Sequence, residues 1–220
     1  MYKKNVTLQK KKYVENMRKI IVPFLFLLFL LLIAGCNGCQ DRLQKEYSIF
    51  LNKEIKLPAF VKGIYKNRDT VYLHQDDVMT RMVVFFDSTT CSSCQVARIW
   101  EWERITSYAK AMKYKFEPVF IFAPPKQQEH ETVRSLRVQS FSWPVYVDAD
   151  QSFLSSNEEF PQNKVFHVFL LDKNNKVVLV GDPTFNTKLW EIYKKTIVDL
   201  IENGGVLRPE ATFQPGRSFL

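Results

Sequence analysis

The sequence lacks the features of several common protein classes. It has no internal repeat and no low-complexity segment, so its 220 residues are expected to form one packed domain with additional segments. Its longest apolar run, residues 20–33, has 14 residues and is too short to cross a bilayer as a helix. Its three histidines show no metal-ligand spacing. We therefore expect neither a resident cofactor nor a metal ion.

The chain also lacks a basic surface outside its N-terminus. The formal net charge is +8, but residues 1–35 hold seven Lys and Arg against one Glu and contribute +6 of it. The remaining chain carries +2, and its basic residues are scattered among Asp and Glu. A protein that binds phosphates concentrates its positive charge on one surface, so nucleic acid is not an expected partner.

The first 35 residues have the pattern of an export signal. A basic segment precedes the apolar run 20–33, whose length suits the hydrophobic region of a signal peptide. The next residues, Ile33-Ala34-Gly35-Cys36, resemble the bacterial lipobox, which implies cleavage before Cys36 and diacylation of its thiol. We expect residues 1–35 to be a signal peptide, with Met17 as an alternative start. The mature protein would then be anchored through Cys36 to a lipid bilayer of the bacterial cell envelope, facing the periplasm.

The exported part divides into three segments. Residues 36–50 are polar and lack a sustained pattern, which predicts a lipidated tether. Residues 51–204 carry strand and helix patterns and form the expected domain, whereas residues 205–220 are expected to be an irregular tail. Cys39 lies close to the anchor and is interpreted as a bystander at the membrane surface. An intermolecular disulfide is the alternative for it.

Hydrophobic patterns predict an alternation of strands and helices in the domain. Extended segments are predicted at 54–57, 61–65, 71–74, 81–86, 116–122, 144–147, 165–171 and 176–180. Helices are predicted from Cys91 to about Met112, at 127–138, and from Leu189 to a stop at Gly204-Gly205. This order predicts an α/β fold with a central mixed sheet, helices on both faces and an extra N-terminal β-hairpin.

The candidate site consists of Cys91 and Cys94, separated by two serines at the junction of a buried strand and a helix. This spacing in a first helical turn brings both sulfur atoms to one side, close enough to form a disulfide. The helix N-terminus, for which Thr89 or Thr90 offers a capping hydroxyl, stabilises a thiolate, the nucleophile of disulfide exchange. Cys91 is therefore predicted to be the nucleophile and Cys94 the resolving thiol.

A family resemblance extends this interpretation. It is carried by the stretches VVFFDSTTCSSCQVARIWEWERI, PVYVDADQSFLSSNEEF and VFHVFLLDKNNKVVLVGDP, and it covers about residues 51–204. They resemble the TlpA-type branch of the thioredoxin superfamily, which are membrane-tethered thiol-disulfide oxidoreductases. The resemblance implies a thioredoxin-like fold and reducing chemistry in the periplasm. The implied partners are protein thiols or disulfides of the cell envelope and a redox partner that donates electrons.

Two positions depart from that family pattern. Thr90 stands where relatives carry a tryptophan or another aromatic residue before the first cysteine. Counting back from Asp172, Phe166 occupies the position of the family's cis-proline and His167 follows it. By this resemblance Thr90, Phe166 and His167 would contact the substrate. The large ring of Phe166 would narrow the groove beside Cys91 and slow turnover of general protein disulfides.

Other readings of the site remain open at the level of sequence. His167 is either a proton donor or metal ligand beside the cysteines, or a packed strand histidine, which is the more common case. Asp87 is either a proton shuttle or a turn former. A non-enzymatic binding protein is the alternative function, either a copper carrier using Cys91, Cys94 and His167 or a scaffold whose redox site has decayed. A peroxiredoxin is excluded, because its motif needs proline at Val84.

Overall fold

The computed structural model describes residues 17–19, 21–23, 41–59, 62–71, 77–89 and 91–207. The chain divides into two compact units, residues 1–46 and residues 47–220, and each is described by itself. Cys36, Cys39 and most of the apolar run at 20–33 lie outside the described residues. In the part that is described, no helix combines the length and the apolar character needed to cross a membrane.

A seven-stranded mixed sheet forms the centre of the second unit. Its strands, in chain order, are β1 Gly63–Tyr65, β2 Arg68–Thr70, β3 Thr80–Phe86, β4 Phe116–Phe122, β5 Val145–Val147, β6 Val168–Leu171 and β7 Val177–Val180. They are arranged in the order β2-β1-β5-β4-β3-β6-β7. Strand β4 runs parallel to both β3 and β5, and the other neighbours are antiparallel. The predicted mixed sheet is confirmed.

Helices cover both faces of this sheet. They are residues 47–50 at the end of α1 (residues 41–50), α2 Ser92–Ala97, α3 Glu103–Ala111, α4 Glu129–Gln139, α5 Ser152–Ser156 and α6 Thr187–Glu202. Single 3₁₀ turns span Ile99–Trp102, Lys126–Gln128 and Lys164–Phe166. Alternate residues of β3 face two different hydrophobic clusters, with Met82 on one side and Val83 on the other. Helices α2, α3, α4 and α6 pack on the first cluster, and Phe153 of α5 packs in the second.

The N-terminal hairpin is present, but its second strand lies earlier in the chain than predicted. Its turn is formed by Lys66 and Asn67, which both have positive φ angles of 46° and 67°. Two consecutive positive φ angles are typical of a type I′ turn, which matches the twist of a hairpin. The second strand is therefore β2, not the predicted segment 71–74, of which residues 72–74 lie outside the described residues. The predicted segment 54–57 contributes only a bridge between Glu54 and Lys176.

The helix predicted from Cys91 to Met112 is interrupted. Helix α2 ends at Ala97, a 3₁₀ turn follows, and α3 begins at Glu103. Ile99 and Trp102 are both buried, and a 3₁₀ turn places residues three apart on the same side. The interruption lets both side chains enter the core, which the apolar pattern alone does not distinguish from a continuous helix.

The strand predicted at 165–171 begins three residues late. Lys164–Phe166 form a 3₁₀ turn, and the Asn163 side chain caps it by accepting the Val165 N–H at 3.1 Å. Strand β6 then starts at Val168. A local side-chain bond of this kind offers the backbone an alternative to the sheet ladder, which explains the difference.

The segment predicted as a tether is partly helical, and its end belongs to the core. Phe50 at the end of α1 is 1% exposed. Its ring packs edge-on against Phe160, Phe166 and Phe169 at centroid distances of 5.6, 5.7 and 5.4 Å. The second cluster thus includes a residue that precedes the predicted domain start at residue 51.

Candidate active site

Helix α2 begins at the cysteine pair. The loop after β3 leads to Cys91, which is itself the N-cap residue, because its Sγ accepts the backbone N–H of Cys94 at 3.4 Å. The prediction that Thr89 caps this helix is wrong, since its hydroxyl donates to the Asp87 carboxylate instead. Thr90, the other candidate cap and a predicted substrate contact, lies outside the described residues.

The two thiols differ in their surroundings. Both are exposed and free, and the Ser93 Oγ lies 3.2 Å from the Cys91 Sγ. The pKa of Cys91 is lowered because the Cys94 thiol donates a hydrogen bond to its sulfur, and Ser93 and the Cys94 N–H stabilise the same atom. The pKa of Cys94 is raised, chiefly because its proton is held in that bond. The assignment of Cys91 as the nucleophile and Cys94 as the resolving thiol stays a prediction.

A polar pocket of about 360 Å³ opens beside Cys91. One wall consists of Cys91, Ser92 and Ser93, and the other belongs to α4 and the turn before it. Residues on this second wall are Gln128, Glu131, Thr132 and Ser135. Sequence reasoning missed the contribution of α4, because the approach of the two helices depends on how they pack on the sheet.

Asp87 joins the loop before Cys91 to the turn before β6. Its carboxylate, 12% exposed, accepts the Thr89 N–H at 3.2 Å and the Thr89 hydroxyl at 2.9 Å. Lys164 Nζ and His167 Nδ1 lie 3.8 and 3.9 Å from its two oxygens. The turn-forming interpretation of Asp87 is therefore supported, and the side chain also faces two basic groups from the neighbouring turn.

His167 is a packed side chain. Its Nε2 lies 3.3 Å from the Pro161 carbonyl oxygen, and its ring contacts Phe85 and Phe160 at centroid distances of 5.3 and 5.5 Å. Burial lowers the pKa of His167, and the nearby Asp87 carboxylate opposes that shift. Within the described residues no three His, Cys, Asp or Glu side chains are grouped to hold a metal ion. The copper set of Cys91, Cys94 and His167 is not assembled.

Comparison with known proteins finds similarity in structure alone. No family model and no curated protein matches the sequence. A protein assigned as thiol:disulfide interchange protein DsbE from Chlorobium tepidum is 18% identical, with a TM-score of 0.46 over 69% of this chain and 99% of its own. A thioredoxin-like protein from Porphyromonas gingivalis is 16% identical, with a TM-score of 0.44 over 74% and 100%. The thioredoxin domain of a thiol-disulfide oxidoreductase from Bacteroides vulgatus is 14% identical, with a TM-score of 0.40 over 64% and 99%.

The fold itself is α/β, with a central mixed sheet and helices on both faces. Strands β3, β4, β6 and β7 form its mixed core, and α2 follows the first of them. Cys91 and Cys94 lie at the start of α2, directly after β3.

Phe166 does not line the surface of this domain. Its side chain is 0% exposed and packs in the second cluster, so the prediction that it narrows a groove beside Cys91 is wrong. Since β6 begins at Val168, the residue that directly precedes the strand is His167, whose carbonyl accepts the Phe85 N–H at 2.8 Å. No cis peptide bond occurs among the residues that the structure describes.

Proposed function

We propose that the protein is a membrane-anchored thiol-disulfide oxidoreductase of the TlpA type, with Cys91 as the nucleophile and Cys94 as the resolving thiol. The observation that carries the proposal is the asymmetry of the pair. The exposed Cys91 sulfur receives hydrogen bonds from Cys94 and Ser93 that favour its thiolate, while Cys94 keeps its proton. A thiolate beside a protonated neighbour is the starting state for disulfide exchange.

The exchange follows from this arrangement in two steps. The Cys91 thiolate attacks one sulfur of a substrate disulfide, and the other substrate sulfur leaves as a thiolate that takes up a proton. Cys94 then loses its proton and attacks the Cys91 sulfur of the mixed disulfide, releasing the second substrate thiol. The substrate gains two electrons, and the protein is left with a Cys91–Cys94 disulfide. A partner that donates two electrons must reduce this bond before the next cycle.

Location in the cell envelope is supported by the N-terminal sequence pattern. The apolar run at 20–33 and the lipobox-like residues before Cys36 are those of an exported lipoprotein, in a compartment where a close cysteine pair is redox-relevant. Mass spectrometry of protein from its native membrane tests this part of the proposal. A diacylated Cys36 at the N-terminus is expected, and an unmodified Cys36 would contradict the anchor.

The redox proposal is tested on the part of the chain that follows Cys36 and on two variants of it. Reduced protein should transfer electrons to a small disulfide, Cys91→Ser should abolish the reaction, and Cys94→Ser should accumulate the mixed disulfide. The reduction potential of the pair then gives the direction of electron flow. A value near roughly −270 mV is expected for the proposed reductant, and one near about −120 mV would indicate an oxidant.

A further inference from the structure

The pocket beside Cys91 continues along α4 as a groove. A second depression of about 340 Å³ shares Ser93, Glu131 and Ser135 with the first and extends to Val138 and Gln139. Its opposite wall includes Val96 and Ala97 of α2. We call the two depressions together the α2–α4 groove. It starts at the exposed sulfur of Cys91 and runs towards the end of α4.

The length of the groove matches a short extended peptide. From Gln128, which lines the pocket with Cys91, to Arg134 the chain rises by about 9 Å at 1.5 Å per residue. An extended chain covers that distance with about three residues. A substrate segment with its cysteine at Cys91 would therefore place its third or fourth neighbouring residue within reach of the Arg134 side chain.

The groove is lined by one anion and one cation. Glu131 lines both depressions, whereas Arg134 lines only the second one, which does not include Cys91. Arg134 makes no ion pair or hydrogen bond with any described residue, whereas Arg137 on the same helix pairs with Asp69 at 2.6 Å. Beyond Arg134, Val138 is 77% exposed. The far part of the groove thus offers an available guanidinium beside an apolar side chain.

We propose that the α2–α4 groove binds an extended segment of the substrate protein that carries an acidic side chain three or four residues from its reactive cysteine. Arg134 pairs with that carboxylate, because it is the cation of the groove that the described residues leave without a partner. Glu131 disfavours an acidic residue directly beside the cysteine. This inference rests on the proposed function, since it places the substrate sulfur at Cys91.

The test measures the first step of exchange with synthetic peptides. Each peptide contains one cysteine, blocked as a mixed disulfide with a coloured aromatic thiol, and has either Asp or Lys at the fourth position before or after it. Attack by Cys91 in the Cys94→Ser variant releases the coloured thiol, so the rate of that step is read directly. A small disulfide without a peptide serves as the reference substrate.

Arg134→Glu and Lys195→Glu form a matched pair of variants. Both change one exposed cation to an anion, but Lys195 lies on α6 and does not line the groove. The Asp peptide of one polarity should react roughly two- to fivefold faster than its Lys counterpart, the range of one exposed ion pair. Arg134→Glu should reverse that preference, Lys195→Glu should keep it, and added salt should weaken it.

The outcomes separate the two proposals. Equal rates for the Asp and Lys peptides, together with normal reaction of the small disulfide, would overturn the groove inference and leave the redox function intact. A preference that Arg134→Glu does not alter would also overturn it. If Cys91 reacts with neither the peptides nor the small disulfide, the proposed function fails, and the groove inference fails with it.

Discussion

At the scale of single residues, the reactivity of Cys91 depends on a hydroxyl two positions away. Ser93 Oγ lies 3.2 Å from the Cys91 sulfur and contributes to lowering its pKa. Replacing Ser93 with Ala removes this hydrogen bond, so the pKa of Cys91 should rise and its alkylation near neutral pH should slow. Alkylation rates of Cys91 measured across pH test this, with Ser88→Ala in the preceding loop as the control. A Cys91 titration unchanged by Ser93→Ala would contradict the assigned contact.

His167 makes a second prediction at this scale, on the dependence of stability on pH. Burial lowers its folded-state pKa, while the unfolded chain keeps the ordinary value of about 6.5. As the pH falls, the unfolded chain binds the proton first, so the stability due to neutral His167 is present above about pH 6.5 and is lost at lower pH. His167→Gln should therefore flatten the fall in unfolding free energy between pH 7.5 and about pH 5.

Urea unfolding at several pH values measures this dependence. The control is His130→Gln, because His130 is exposed on α4. Equal pH slopes for the wild type and His167→Gln would show that His167 carries no part of the effect.

At the scale of elements, Asp87 stabilises the loop that leads to Cys91. Asp87 and Asp182 hold a following threonine in the same way, through its N–H and its hydroxyl, but Asp87 also faces Lys164 and His167. Asp87→Ala should lower the unfolding free energy by about 1–3 kcal/mol, because it removes two hydrogen bonds to Thr89. Asp182→Ala is the matched control and should cost less, since Asp182 is exposed. Denaturant unfolding measures the free energy of both variants. Equal losses would show that the contacts of Asp87 with Lys164 and His167 add nothing to the unfolding free energy.

The strands and helices also show which bounds the sequence pattern predicts and which it does not. Strand β3 was predicted well because it is buried on both faces and reads as a continuous apolar run. The interruption after α2 was not predicted, because Ile99 and Trp102 suit the apolar spacing of an α-helix as well as that of a 3₁₀ turn. The late start of β6 was missed because it depends on one capping bond from Asn163.

At the scale of the whole molecule, one face of the sheet depends on a residue that precedes the predicted domain. Phe50 is surrounded by aromatic rings in the second cluster. Phe50→Ala should lower the unfolding free energy by about 3–5 kcal/mol, the usual cost of removing a buried phenylalanine. Ile49→Ala is the control, because Ile49 is 65% exposed. Urea unfolding of the two variants should separate them clearly, and similar losses would contradict the packing of Phe50.

The site could be predicted only in its local part. Cys91 and Cys94 are close in sequence, so their geometry follows from one helical turn. Asp87 and His167 were each noted in the sequence, but their proximity depends on the pairing of β3 with β6. The walls of the α2–α4 groove depend on helix packing, and Phe166 was misplaced because a count along the chain does not reveal which face of the sheet a side chain occupies.

The two edges of the sheet bear on self-association. Strand β2 has three residues, two of them the charged Arg68 and Asp69, and the start of β7 is covered by backbone bonds with residues 52–55. Short, charged or covered edges are poor templates for pairing with another copy, which is how β-proteins avoid aggregation. An anchor of the kind proposed above would bring copies of the protein together at high local density on a membrane surface. With these edges, many copies would share one patch of membrane without pairing their sheets.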